Sequence, residues 1–207
     1  MNLEQQSLRA DIYLLLATLL RQKPSAELIE FLTQLDIEPS QSEMQQAWQQ
    51  LKQAAMNSDD EQLTDEYQDL FIGIGRGEVV PFASWHLTGS LMEKPLAEIR
   101  KDLQLLGLER DEQVKEPEDH IAALFEVMAA LTEEDAAIQQ VFFNKHIAPW
   151  FVSLCEQIQQ AKSAQFYLAV AALMRAFATV EQVQFSQNVQ STKTSLKIDV
   201  KNVTTYE

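Results

Sequence analysis

The sequence predicts an all-α protein, a single-domain bundle of about ten helices. Two observations carry the prediction. Apolar residues recur at three- and four-residue intervals through most of the chain, which is the period of one helix face. The 207 residues also contain only 5 Gly and 6 Pro, too few for the tight turns that sandwiches and barrels require.

The first helix places Leu8, Ile12, Leu15, Leu16 and Leu19 on one face, and Lys23-Pro24 closes it, because proline disfavours helical backbone in its predecessor. A short second helix turns Leu28, Ile29, Leu32 and Leu35 inward. Ser40 and Glu43 fit a capping box opening a third, with Met44, Ala47, Trp48 and Leu51 inward. Beyond the polar stretch Asn57–Glu61 a fourth carries Leu63, Tyr67, Leu70 and Phe71. Gly73, Gly75 and Gly77 follow closely, giving the backbone unusual freedom there. Pro95 suits the first turn of a helix with Leu96, Ile99, Leu103 and Leu106 on one side, and Gly107 suits its left-handed cap.

Pro117 is expected to open the next helix, with Ile121, Leu124, Phe125, Met128 and Leu131 inward. Thr132 is expected to cap another, helped by Glu133, Glu134 and Asp135, running through Phe142, Phe143 and Ile147 to Pro149. Two last helices span Trp150–Gln160 and Ala164 to about Val183. The helical rhythm stops after Phe185, so the expected division is a domain over 1–185 and a tail over 186–207. In that tail Leu196, Ile198 and Val200 alternate with Lys197, Asp199 and Lys201.

Composition narrows the function. The formal net charge is −15, from 31 acidic and 16 basic residues, a field that repels nucleic acid and anionic lipid and attracts cationic peptides. A lone Cys155 suits a reducing compartment. No basic segment leads into an apolar run at the N-terminus, and the apolar stretch Leu14–Leu20 is too short to span a bilayer. These features predict a cytoplasmic protein without direct membrane insertion.

The residues offer little catalytic chemistry. His86, His120 and His146 are far apart and lack metal-ligand spacing, so no metal is expected. Gly73-Ile74-Gly75-Arg76-Gly77 follows a helix and lacks the lysine of a phosphate-binding loop, so it reads better as a helix-ending loop than as a nucleotide cradle. Glu116-Pro117-Glu118-Asp119-His120 reads by itself as an ordinary acidic helix start.

Three segments taken together carry a resemblance. Asp65-Glu66-Tyr67-Gln68-Asp69-Leu70-Phe71-Ile72-Gly73, then Pro81-Phe82-Ala83-Ser84-Trp85, then Glu116-Pro117-Glu118-Asp119-His120-Ile121 resemble, in order and spacing, the TorD/DmsD family of redox-enzyme maturation chaperones. The likeness covers roughly residues 5–185, and its glycine-rich variant resembles a branch associated with formate dehydrogenase. Many members carry Gly-Pro after Leu-Phe and paired prolines before the aromatic; this chain has Gly73-Ile74-Gly75 and Val80-Pro81-Phe82-Ala83 instead.

The resemblance implies a non-enzymatic chaperone that binds the twin-arginine signal peptide and apoprotein of an exported molybdoenzyme, a formate dehydrogenase or an S-/N-oxide reductase. It also implies that export is delayed until the cofactor is in place. The family motifs fall on Tyr67, Leu70 and Phe71; on Pro81, Ser84 and Trp85; and on Glu116, Pro117, Asp119 and His120, with Glu118 inside the last. On this reading Glu116, Glu118 and Asp119 accept signal guanidiniums, while Tyr67, Leu70, Phe71 and Trp85 line an apolar groove. The family also admits weak guanine-nucleotide binding or hydrolysis, drawing on the glycine loop and Asp119-His120, a monomer or a domain-swapped dimer, and a NarJ-like role as a scaffold on a cytoplasmic subunit.

Overall fold

The computed structural model describes residues 3–73, 77–111 and 113–188. Among the described residues ten α-helices form a single all-α bundle: α1 (Leu3–Arg21), α2 (Ala26–Gln34), α3 (Glu43–Asn57), α4 (Asp60–Tyr67), α5 (Ala83–Thr88), α6 (Lys94–Leu105), α7 (Ile121–Leu131), α8 (Ala136–His146), α9 (Phe151–Gln160) and α10 (Phe166–Asn188). The expected helical tail boundary at Phe185 falls inside α10, and residues 189–207, with the alternating Leu196–Lys201 segment, lie outside the described residues.

The core forms where the predicted faces meet. α1 packs along α7, and α10 lies against α3, α8 and α9. Ile12, Leu16, Leu19, Leu124, Phe125, Met128, Leu173, Met174 and Phe177 are buried between them. The segment Phe166–Ser186 is long and apolar enough to cross a membrane, yet most of it is buried in this core. Tyr13 stacks edge-on against Phe177 at 4.7 Å and is tilted against Phe125 at 5.6 Å, tying α1, α7 and α10 together.

Helix starts differ from expectation in three places, each for a local reason. Ser42, not Ser40, caps α3 by accepting from Gln45 N at 3.2 Å, and Ser40 instead accepts from Ser42 N. Asp135, not Thr132, caps α8 by accepting from Ala137 N; Thr132 ends α7, its hydroxyl donating back to Ala129 O at 2.7 Å. Pro117 does not open α7: it begins a turn closed by His120 N donating to Pro117 O, and the helix starts at Ile121. Pro95 and Gly107 stand as expected, Pro95 in the first turn of α6 and Gly107 left-handed at φ +70° behind it.

The end of α4 sets up the site. The helix passes into a π-turn, Gln68–Ile72, closed by Gly73 N donating to Gln68 O at 2.7 Å. Wider turns of this kind leave carbonyls at a helix end in need of donors. The chain doubles back to supply them: Glu78 N donates to Asp69 O and Val79 N to Leu70 O. Gly77 sits so close that a Cβ would lie 2.3 Å from Leu70 O. Ile74, Gly75 and Arg76 lie outside the described residues. Gly77→Ala is expected to push this strand of chain off the π-turn and cost about 2 kcal/mol, read by chemical denaturation.

Candidate functional site

The second and third sequence motifs are bound directly to each other. Ala83 N donates to Asp119 O and Ile121 N to Pro81 O, both at 2.9 Å, forming an isolated antiparallel bridge between Phe82 and His120. The Asp119 carboxylate then reaches across to α5, where Oδ2 accepts from Ser84 N at 3.0 Å. α5 begins at Ala83 with no cap of its own from Phe82. Its open N-terminus is satisfied by a carboxylate from a segment far along the chain, which also suits the helix dipole.

This corrects the sequence expectation for Asp119. It does not lie inside a proline-started helix, and it caps α5 rather than the turn it belongs to. At 1% exposure, with Oδ2 engaged, it offers no surface to a guanidinium. His120 is buried as well and forms the cap of α7, Nδ1 accepting from Ala122 N at 3.1 Å. Its ring meets Phe82 edge-on at 5.0 Å. Burial, assisted by the nearby Arg21 guanidinium, pushes the imidazole down to about 3, so it is neutral and available as an acceptor. Ser84 is fully buried, its backbone held by Asp119 and its Oγ without a partner. Pro81 is buried too.

Among the acidic residues, Glu118 is already engaged by two arginines of the chain itself. Arg100 Nε lies 2.9 Å from Oε2 and Arg110 Nε 3.6 Å from Oε1. Glu116 is exposed, with Oε2 4.0 Å from Arg21 Nη1. Arg21 itself is held in a fork by Glu126, at 3.0 and 2.6 Å. Pro117, partly buried, carries the turn between these acids and His120.

The first motif joins the cluster through α1. Tyr67 OH donates to Arg21 O at 2.6 Å, and burial followed by the Glu116 carboxylate raises its phenol to about 12. Phe71 packs between Tyr67 at 5.1 Å and Tyr167 at 5.0 Å, and Leu70 is fully buried. Leu70 is therefore core, while Tyr67 and Phe71 are partly buried and pack against it. Trp85, on α5, is partly exposed, and its neighbour His86 is fixed by Val80 O and Ser153 at 2.9 Å each and by stacking on Trp150.

Sequence reasoning missed Glu66. Its carboxylate accepts from Gln165, Phe166 and Tyr167 N at 2.7 to 3.0 Å, capping α10. The only signal was its place inside the first motif. It also missed Arg21, which stands among Glu116, Glu126, Tyr67 and His120. Among the described residues no group of three His, Cys, Asp or Glu side chains gathers to hold a metal.

With this geometry in place, residues 38–156 match the profile of the nitrate reductase delta subunit family, a span that contains all three motifs. The chain belongs to that family. Among curated proteins it is similar to the chaperone protein TorD of Vibrio parahaemolyticus, 27% identical over 134 residues, 58% of this chain and 62% of that protein. It is also similar to DmsD of Haemophilus influenzae, designated a Tat proofreading chaperone, 30% identical over 113 residues, 54% of this chain and 56% of the relative. The matched region thus spans about three fifths of the length of these relatives. The fold resembles a crystal structure from Archaeoglobus fulgidus described as a redox enzyme maturation protein. The TM-score is 0.55 at 19% identity, covering 84% of this chain and 93% of that one.

Two outcomes follow for the cluster. Because His120 is held neutral far below its ordinary value of 6.5, the unfolded chain takes up a proton that the folded one refuses as pH falls below 6.5. His120→Asn, which keeps an acceptor for Ala122 N, is expected to remove about 2 kcal/mol of the stability lost between pH 6.5 and roughly 5, measured by urea denaturation at each pH. For Asp119, removal of the carboxylate strands a buried N–H: Asp119→Ala is expected to cost about 2 kcal/mol, and Asp119→Asn, still an acceptor, clearly less. Equal losses for both variants would show that the charge, not the hydrogen bond, holds α5.

Proposed function

We propose that this chain is a cytoplasmic maturation chaperone, not an enzyme, that binds the twin-arginine signal peptide of an exported molybdenum-containing oxidoreductase before export. The single observation that carries the reading is the direct joining of the second and third family motifs, with the first tied to them through Arg21. Asp119, His120, Pro81, Ser84, Glu66 and Leu70 build a rigid frame, and the frame leaves Trp85 and Glu116 at its surface.

The chemistry of the partner fits this surface. A paired-arginine segment presents two planar cations, and a carboxylate accepts a guanidinium through two parallel hydrogen bonds. Glu116 is exposed and makes only a 4.0 Å contact to Arg21, so it is the acid of this motif best able to accept one. Trp85 offers an aromatic face for a cation or an apolar side chain. The net charge of −15 adds a long-range attraction for a basic peptide. The frame residues act by positioning these two.

Calorimetric titration with a synthetic paired-arginine signal peptide tests the reading. Binding is expected to weaken as salt rises, since exposed charges are screened over about 8 Å at physiological ionic strength. Glu116→Gln and Trp85→Ala are each expected to weaken it by roughly three- to thirtyfold, on the order of 1–2 kcal/mol, and Glu116→Gln to leave the melting temperature unchanged. Absence of binding by the wild-type protein at low salt would overturn the function.

A further inference from the structure

The motif cluster leaves one requirement of a signal peptide unmet: its apolar run. Leu70 and Pro81 are buried and Phe71 is packed between two tyrosines, so the motifs leave little apolar surface to hold a long run. A trough exists elsewhere. Between α1, α2, α3 and α10 lies an open cavity of about 830 Å³. Its apolar walls include Ile12 and Leu15 from α1, Met44 and Trp48 from α3, and Phe177 from α10. Three large apolar side chains at its edge face solvent: Leu8 at 60% exposure, Phe31 at 55% and Val180 at 51%. Exposed apolar surface grouped around a cleft is the ordinary mark of a binding groove.

Its charge is one-sided. Asp11, Asp36 and Glu38 line it, are exposed, and take part in no ion pair among the described residues. The basic side chain there, Arg9, is turned into the floor. It is paired with Glu181 at 2.9 and 2.6 Å, and Tyr13 OH donates to the same carboxylate at 2.7 Å. The rim is therefore anionic over an apolar bed. The wall is built of helices with the extended segment after α2 as its lip, and Met44 and Phe31 supply side chains that can repack around a guest.

We infer that this groove docks the apolar run of the client's signal peptide, and that Asp11, Asp36 and Glu38 at its rim add to the field that draws the basic peptide in. The assignment rests on the function proposed above and relocates the apolar contact away from the motif cluster.

The chain carries its own reporters, since Trp48 lines the groove, Trp85 lies in the motif cluster and Trp150 is buried in the core. The probe is a synthetic peptide with paired arginines ahead of a leucine- and alanine-rich run, titrated into the full chain by calorimetry and by tryptophan emission. The expected emission change keeps in Trp85→Phe a component that is absent from Trp48→Phe. Phe31→Ser combined with Val180→Ser, both exposed positions, is expected to weaken binding on the order of tenfold or more with an unchanged melting temperature. Asp36→Asn with Glu38→Gln is expected to flatten its salt dependence.

A peptide that binds while Trp48 is silent and the Phe31/Val180 variant is unaffected overturns the groove and leaves the function standing. A peptide that does not bind the wild-type chain overturns both. A Trp48 emission change without peptide in Lys193/Lys197/Lys201→Glu, with peptide affinity unchanged, would show that the chain's own C-terminal segment fills the groove and the peptide binds elsewhere, and also overturns the assignment.

Discussion

A helix that begins inside a protein must find acceptors for its first N–H groups, and in this chain distant carboxylates supply them. Glu66 takes three backbone N–H groups at the start of α10, and Asp119 takes one at the start of α5. An unsatisfied buried donor costs on the order of 1–3 kcal/mol, so neither helix can start where it does without its acid. Each contact also fixes a long-range register. Glu66 binds α4 to the helix at the centre of the bundle, and Asp119 draws the Pro117 turn onto the segment leaving the π-turn. Once Asp119 is seated, the bridge between Phe82 and His120 closes, and His120 is left to cap α7 with its own ring.

This division explains why an acidic motif need not be an acidic binding surface. Of the four ionisable side chains from Glu116 to His120, Asp119 and His120 are buried acceptors and Glu118 is neutralised by Arg100 and Arg110. Glu116 alone among the three acids is both exposed and loosely paired. Arg21 stands behind it with Nη1 buried and without a hydrogen-bond partner. A frame defined by a few carboxylate-to-backbone contacts tolerates wide substitution around it, because backbone donors do not depend on side-chain identity. Such tolerance is consistent with a shared fold at 19% identity to the archaeal structure.

The helices were legible because their burial is periodic: the inward faces of α6, α7 and α9 follow directly from apolar spacing. The caps were less so. Ser40 and Ser42, or Thr132 and Asp135, are equally good candidates by type, and only the backbone path decides between them. α5 was invisible as a helix because six residues carry too little periodicity, and its stability comes from Asp119 outside it. The site residues were legible as motifs but not in their roles, since burial is a tertiary property. Leu8 shows the limit most plainly. It shares the apolar spacing of Ile12, Leu16 and Leu19, yet the turn of α1 it occupies extends past the core and opens onto the groove.

The ion pair beneath that groove follows from the same economy of polar groups. A buried Arg–Glu pair is seldom more stable than a well-packed apolar replacement of equal volume, because both charges must leave water. What Arg9 and Glu181 provide here is position. The fork of two hydrogen bonds, the Tyr13 hydroxyl on the same carboxylate and the Phe185 ring 5.6 Å below the guanidinium allow one register between α1 and α10. An apolar pair would let the two helices slide and close over Leu8 and Val180, as apolar surfaces do when nothing directional opposes them. In this register the groove lies beside the ion pair, with Asp11, Asp36 and Glu38 exposed at its rim.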